Sequence, residues 1–138
     1  MDNREHIYDP LRKKEVALTP EEEVRQYFIL WLIKERNYKA ALMASEYSIK
    51  YNRRSFRCDI VCFNRQLQPF MIVECKAPSV KIDNAIIEQI CRYNMVLKVK
   101  YLVITNGVIT FAFEFSSESG SYKFISDIPE YGECAISK

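Results

Sequence analysis

The chain has 138 residues, enough for one domain with a hydrophobic core. About half of the residues are apolar (49%) and 28% are charged, which excludes a disordered chain and indicates a folded globular protein. The net charge of +2 is too small to identify a partner. No apolar run is long enough to span a membrane and the N-terminus lacks the apolar segment of a signal peptide, so we predict a cytoplasmic protein without membrane association.

The first predicted element is a helix that begins after an N-terminal arm. We interpret residues 1–18 as this arm and residues 19–138 as a single domain. In "TPEEEVRQYFILWLIKER", Thr19 is suited to cap the helix, Pro20 to occupy its first position and Glu22 to complete a capping box. Apolar residues then recur at helical spacing, which predicts one buried face.

The rest of the chain is predicted to contain strands and a second helix. Residues 42–51, 56–63 and 69–76 are expected to form three strands, and residues 83–97 a helix. The stretches "KYLVITNG" and "VITFAFEF" then predict two more strands, with "YKFI" as a final edge strand. The order α-βββ-α-ββ indicates an α/β fold in which helices flank a mixed central β-sheet.

The third strand ends in opposite charges, in the stretch "IVECKAPS". Because side chains alternate along a strand, Glu74 and Lys76 are expected on one face of the sheet and Cys75 on the other. In the preceding strand, Asp59 is flanked by Cys58 and Ile60, which we expect to face away from it, and pairing of the two strands would place Asp59 across from Glu74. Two carboxylates on an apolar sheet form a site suited to Mg²⁺, and a nearby lysine can orient a water or stabilise developing negative charge. This combination predicts phosphodiester hydrolysis.

These residues match the pattern of a known family. Asp59, followed after fourteen residues by Glu74-Cys75-Lys76, is similar to the signature of the PD-(D/E)xK nuclease superfamily. Within it, the chain resembles the N-terminal nuclease domain of type I restriction enzyme R proteins, through "LTPEEEVRQ", "RCDIVCF", "QICRY" and "YLVITNG". There are two departures: Cys58 stands where the signature has proline, and the sequence has no GxxxxGK[ST] motif for the ATP-driven translocase of R proteins.

The resemblance implies a restriction-endonuclease-like fold and a metal-dependent DNA endonuclease that uses Mg²⁺, with Mn²⁺ as an alternative to Mg²⁺. It implies that Asp59 and Glu74 bind the metal and that Lys76 acts on the nucleophilic water. It also implies double-stranded DNA as substrate, with translocase, methyltransferase and specificity subunits as partners. The DNA sequence recognised and the oligomeric state are left open. An alternative with the same fold is a DNA-binding or scaffolding module without catalysis.

The family also has an acidic residue on the first helix. Among the three glutamates of "PEEE", we favour Glu21 for the catalytic site, because it shares the helix face of Val24 and Phe28. Glu22 is the second candidate, although the capping box explains it better.

Other candidate residues come from the second helix and from a basic loop. Gln89 and Tyr93 lie four apart on one helix face, and the resemblance places them at the active site, holding DNA or the catalytic lysine. Arg53, Arg54 and Arg57 lead into the Asp59 strand and are candidates for binding the phosphate backbone. A small-molecule phosphatase is disfavoured, because no serine or cysteine is paired with a histidine.

Overall fold

The computed structural model describes residues 4–134. Within this range the N-terminal residues form a hairpin instead of the irregular arm that we expected. Strand β1 (His6–Asp9) pairs antiparallel with β2 (Lys14–Ala17). The two strands have four residues each, too short for their alternation to be recognised in the sequence. The division between an arm and a domain at residue 19 stays a prediction.

Helix α1 (Pro20–Arg36) begins where the sequence predicted. The hydroxyl of Thr19 accepts a hydrogen bond from the backbone N–H of Glu22 at 3.0 Å, which satisfies one of the unpaired donors of the first turn. The helix ends at Asn37, which adopts the left-handed conformation (φ 60°) common after helix C-termini. A short 3-10 turn, Ala40–Leu42, then leads into the central sheet.

The central sheet has six strands, which pair in the order in which they occur in the chain. They are β3 (Met43–Tyr51), β4 (Arg54–Phe63), β5 (Pro69–Cys75), β6 (Tyr101–Thr105), β7 (Thr110–Ser116) and β8 (Ser121–Ile125). All neighbours are antiparallel except β5 and β6, so the sheet is mixed as predicted. The predicted final edge strand is β8.

Helix α2 (Asn84–Met95) connects the two parallel strands. Asp83 caps it by accepting a hydrogen bond from the backbone N–H of Ile86 at 3.0 Å. Helix α1 packs against a core on one face of the sheet that contains Ile60 and Val73, whereas α2 packs against a core that contains Ile72. The sheet is therefore covered by a helix on each face. A last short helix, α3, spans Tyr131–Cys134.

The turn after β6 brings α1 close to the sheet. Gly107 has a φ of 85°, a conformation that side chains rarely adopt. A β-carbon at this position would lie 3.2 Å from the Cγ2 atom of Val24. The glycine thus allows the first half of α1 to lie close to the carboxyl end of β6. No helix between residues 4 and 134 is long and apolar enough to cross a membrane.

Candidate active site

The predicted catalytic residues meet at the carboxyl ends of the two parallel strands. Glu74 is level with Ile104 in the register of β5 and β6. Lys76 follows one residue after β5 ends, and its backbone N–H donates to the carbonyl of Thr105 at 2.8 Å. On the other side of β5, the antiparallel pairing with β4 ends at the pair formed by Ile60 and Val73. Asp59 and Glu74 lie directly beyond this pair, and their carboxyl groups are close enough for the charge of Asp59 to raise the pKa of Glu74.

The two oxygens of Asp59 have different partners. Its Oδ2 accepts a hydrogen bond from the backbone N–H of Cys75 at 2.7 Å. Its Oδ1 accepts one from Nη2 of Arg25 on α1 at 3.0 Å. The carboxylate is therefore attached both to the strand that bears Glu74 and to the first helix.

The strand bends at Asp59, contrary to the regular alternation that we expected. Cys58 packs in the core under α2, whereas Ile60 packs in the core under α1. The two neighbours of Asp59 thus face opposite sides of the sheet, and the prediction that they face the same way is wrong. On the adjacent strand, the residue between the paired positions Ser45 and Tyr47 is Glu46, which has a φ of 49°. The pairing of β3 with β4 therefore skips Glu46 and Asp59, and this interruption accounts for the break in alternation.

Glu74 is half-buried and is the most perturbed carboxyl group of the site. Burial raises its pKa to about 8, and the negative charge of Asp59 adds to the effect, while Lys76 opposes it. The Oε1 atom of Glu74 has no hydrogen-bond partner among residues 4–134. A buried, unpartnered carboxylate oxygen is costly in a metal-free protein, and a proton or a cation would relieve that cost.

Five of the predicted residues line one open cleft of about 590 Å³: Glu21, Glu74, Lys76, Gln89 and Tyr93. The first comes from α1, the next two from the end of β5, and the last two from α2. Asp59 is joined to this group by its hydrogen bond with the backbone N–H of Cys75, which lies between Glu74 and Lys76 in the chain. The fold therefore joins the separated sequence motifs into one cleft.

The two glutamates that competed for a place in the site lie in different environments. Glu21 borders the cleft with its side chain 48% exposed, and burial and then the charge of Asp59 raise its pKa. Glu22 is buried and accepts hydrogen bonds from Arg12, Arg25 and Gln26. We predicted a capping box at Glu22, but its carboxylate is used in these three contacts, so this prediction is wrong.

With the geometry established, comparison with known proteins identifies the family. The family model described as "Type I restriction enzyme R protein N terminus (HSDR_N)" matches residues 20–129. This chain belongs to that family. No curated protein matches it significantly. A solved fragment of a protein taken to be an HsdR subunit of a type I restriction enzyme from Vibrio vulnificus YJ016 has a similar fold, with a TM-score of 0.57 and 20% identity. The similarity covers 86% of this chain and 25% of that one, so the chain spans about a quarter of the length of its solved relative.

The comparison confirms the predicted restriction-endonuclease-like α/β fold of this R-protein domain. The β1–β2 hairpin precedes the matched residues. It is nevertheless attached to the site, because Arg12, between its strands, donates to Oε1 of Glu22 at 2.8 Å. Sequence analysis overlooked this contact as well as the central position of Arg25. Arg25 follows Glu21 by four residues and Glu22 by three, a helical spacing that was the available signal.

The three arginines predicted to contact DNA differ in position. Arg53 is exposed in the turn between β3 and β4. The guanidinium of Arg54 lies 4.6 Å from the ring centroid of Phe56 and 5.7 Å from that of Tyr93, at the border of the cleft. Arg57 is exposed but forms an ion pair with Glu46. Of the three, Arg54 is the one in contact with a residue that lines the cleft.

A second cavity lies on the opposite face of the sheet, with a volume of about 300 Å³. Aromatic and aliphatic side chains from α1 and β8 line part of it, including Phe28, Trp31 and Phe124. Its acidic residue, Asp127, is already paired with Arg36 at 3.1 Å. Titratable groups with strongly perturbed pKa values cluster at functional sites. The carboxyl group whose pKa is raised to about 8, that of Glu74, lines the cleft and not this cavity.

The carboxylates of this cleft fit a magnesium ion that has few protein ligands. In the part of the chain that the structure describes, no three His, Cys, Asp or Glu side chains are grouped as metal ligands. Mg²⁺ keeps several waters and is commonly bound by one or two carboxylates together with phosphate oxygens. Asp59 and Glu74, with the unpartnered oxygen of Glu74, meet that requirement.

Proposed function

We propose that this domain is a Mg²⁺-dependent deoxyribonuclease that cleaves double-stranded DNA within a type I restriction-modification system. Its partners would be a translocase, a methyltransferase and a specificity subunit, in the cytoplasm. One observation carries the proposal: Glu74 is a half-buried residue whose buried Oε1 has no hydrogen-bond partner among residues 4–134, and it lies near Asp59 and in one cleft with Lys76. This set of groups is suited to hydrolysis of a phosphodiester.

In this proposal, Asp59 and Glu74 hold the metal. When bound, Mg²⁺ would polarise a phosphate oxygen and lower the pKa of a coordinated water. Lys76 orients the attacking water and stabilises the negative charge that develops on the phosphate. The hydrogen bond from its backbone N–H to the carbonyl of Thr105 fixes the position of Lys76 relative to β6.

The remaining residues of the cleft position the substrate. Gln89 and Tyr93 project from α2 into the cleft that contains Lys76, and Arg54 lies over the ring of Tyr93. An amide, a phenol hydroxyl and a guanidinium are all suited to contact phosphate and sugar oxygens of DNA. Glu21, on the opposite wall, would act on the water or on a metal-bound water.

Calorimetry and plasmid cleavage test the proposal together. Asp59→Asn and Glu74→Gln should lose Mg²⁺ and Mn²⁺ binding, because each replaces a carboxylate ligand with a neutral amide. Lys76→Met should keep metal binding and lose cleavage by about a hundredfold or more, because its charge acts in the transition state. Lys81→Met removes an exposed lysine five residues away and serves as the matched control.

The outcomes separate the proposed function from its alternative. If Lys76→Met cleaves DNA as fast as the wild type, Lys76 has no catalytic role and the nuclease proposal loses its main support. If the wild type binds DNA but does not cleave it, even with a translocase subunit present, the domain is the DNA-binding module without catalysis.

A further inference from the structure

Arg25 lies at the centre of four acidic side chains. Its Nη1 is 2.7 Å from Oε1 of Glu22, and its Nη2 is 2.8 Å from Oε1 of Glu46 and 3.0 Å from Oδ1 of Asp59. Oε1 of Glu21 lies 3.7 Å from the same Nη2. The arginine side chain is only 4% exposed. A cluster of four carboxylates requires a positive counter-charge, and here the guanidinium of Arg25 supplies it.

The hairpin fixes this arginine in place. Arg12 donates to the same Oε1 of Glu22 that Arg25 contacts. Arg12 is in turn paired with Asp9, which is fully buried and accepts a hydrogen bond from the hydroxyl of Ser45 at 2.6 Å. Displacing Arg25 would remove the arginine partner of Asp59 and one of the two arginine partners of Glu22 and of Glu46, which is unfavourable in a site that is largely shielded from water. The guanidinium therefore stays in the site when other ligands bind.

The two sides of Asp59 consequently differ. Its Oδ1 faces the guanidinium of Arg25. The acidic neighbour of Asp59 on β5 is Glu74, whose Oε1 is buried and has no partner among the described residues. We infer that Arg25 is the resident cation of the candidate active site: it neutralises Asp59 on the α1 side and restricts the site to a single divalent cation, held by Asp59 together with Glu74. The inference rests on the proposed function, because it takes metal binding at Asp59 and Glu74 as given.

Replacing Arg25 tests this role directly. Arg25→Met removes the charge and keeps an apolar side chain of similar reach, so that Glu22, Glu46 and Asp59 line the space that the guanidinium leaves. Calorimetry with Mn²⁺ and electron paramagnetic resonance of the bound ion should detect a single ion in the wild type and a second ion in the variant. Arg25→Lys keeps a positive charge and should bind as the wild type does. Arg92→Met removes an exposed arginine on α2 and is the matched control.

Thermal denaturation provides a second measurement. In EDTA, Arg25→Met should unfold at a lower temperature than the wild type, because Asp59 loses its arginine partner while Glu22 keeps only Arg12 and Glu46 keeps only Arg57. Millimolar Ca²⁺ or Mg²⁺ should restore more of its stability than the same ions add to the wild type, since the ions replace the lost charge. A variant that is unfolded in EDTA and stays unfolded with these ions would overturn the inference.

The failure of the inference can be distinguished from the failure of the proposed function. A single ion of equal affinity in the wild type and in Arg25→Met would show that Arg25 does not limit the number of ions, while the site at Asp59 and Glu74 would stand. Two ions in the wild type would also overturn the inference. No ion in the wild type would overturn the proposed metal site itself, and the role of Arg25 with it.

Discussion

At the scale of single residues, the raised pKa of Glu74 couples the stability of the protein to pH. Burial favours the neutral carboxyl group, so the folded protein keeps a proton at Glu74 that the unfolded chain has already released. Between the ordinary pKa of 4.5 and the folded value of about 8, the folded state binds more protons. Stability must therefore fall as pH rises through this window, and it is not affected further above it.

We expect the wild type in EDTA to lose up to about 1.4 kcal/mol of unfolding free energy per pH unit inside this window. Glu74→Gln is neutral at every pH, so its unfolding free energy should change less. Urea denaturation at several pH values between 5 and 8 measures both slopes. Glu88→Gln removes an exposed carboxylate on α2 and should keep the wild-type slope. Equal slopes for wild type and Glu74→Gln would contradict the assigned pKa.

At the scale of elements, the contact between α1 and the turn after β6 positions one wall of the cleft. Gly107 makes this contact possible because it has no side chain where Val24 lies. Helix α1 also carries Glu21 and Arg25, so the height of the helix above the sheet sets the position of both.

Gly107→Ala is expected to destabilise the protein by more than Gly120→Ala. Both glycines have positive φ, so alanine costs about 1 kcal/mol at each from backbone conformation alone. Only at Gly107 would the new β-carbon also press on Val24, at 3.2 Å, whereas nothing lies within 4 Å at Gly120. Urea denaturation of the two variants isolates this contact as the difference between them. If the two variants are equally stable, α1 moves freely away from the turn.

Elements with strong local signals could be predicted from the sequence. Thr19 and Asp83 mark the starts of α1 and α2 because a short polar side chain can accept a hydrogen bond from the first turn. Hydrophobic runs in turn predicted the strands of the central sheet. The β1–β2 hairpin was missed, since its strands are too short to show a period.

Within the site, too, features that depend on neighbouring parts of the chain could be predicted, whereas features that depend on distant contacts could not. The pairing of β4 with β5, which brings Asp59 near Glu74, could be predicted because the two strands are adjacent in the chain. The bend at Asp59 and the ion pairs of Arg25 depend on contacts between α1, β3 and β4. Such contacts join residues far apart in sequence, and no local pattern encodes them.

At the scale of the whole molecule, DNA binding is expected to depend on ionic contacts with the phosphate backbone. Affinity should then fall linearly with salt concentration on a double logarithmic plot. Arg54, at the border of the cleft, is the arginine best placed to contribute. Arg54 is exposed and lies next to the ring of Phe56. The structure records no ion pair of Arg54 with the described residues, so the guanidinium can contact a phosphate without first breaking one.

Arg54→Met should weaken binding of double-stranded DNA similarly for all sequences and reduce the salt slope by about 1. Lys123→Met is the matched control: it removes one exposed positive charge on β8, at the other edge of the sheet from β3. Fluorescence anisotropy with a labelled duplex at several salt concentrations measures both slopes. Equal slopes for Arg54→Met and the wild type would place the DNA elsewhere on the surface.

The pairing of the six strands in chain order has a consequence for how the protein is made. As the chain leaves the ribosome, β3, β4 and β5 can pair with one another as soon as each is complete, because each is the neighbour of the strand before it. The segment with Lys76 must wait, since its partner, the carbonyl of Thr105, lies beyond α2 in the chain. A nascent chain that ends before Thr105 therefore carries Asp59 and Glu74 but lacks the carbonyl group that holds the backbone of Lys76. The proposed cutting activity would then arise only after most of the domain has been synthesised.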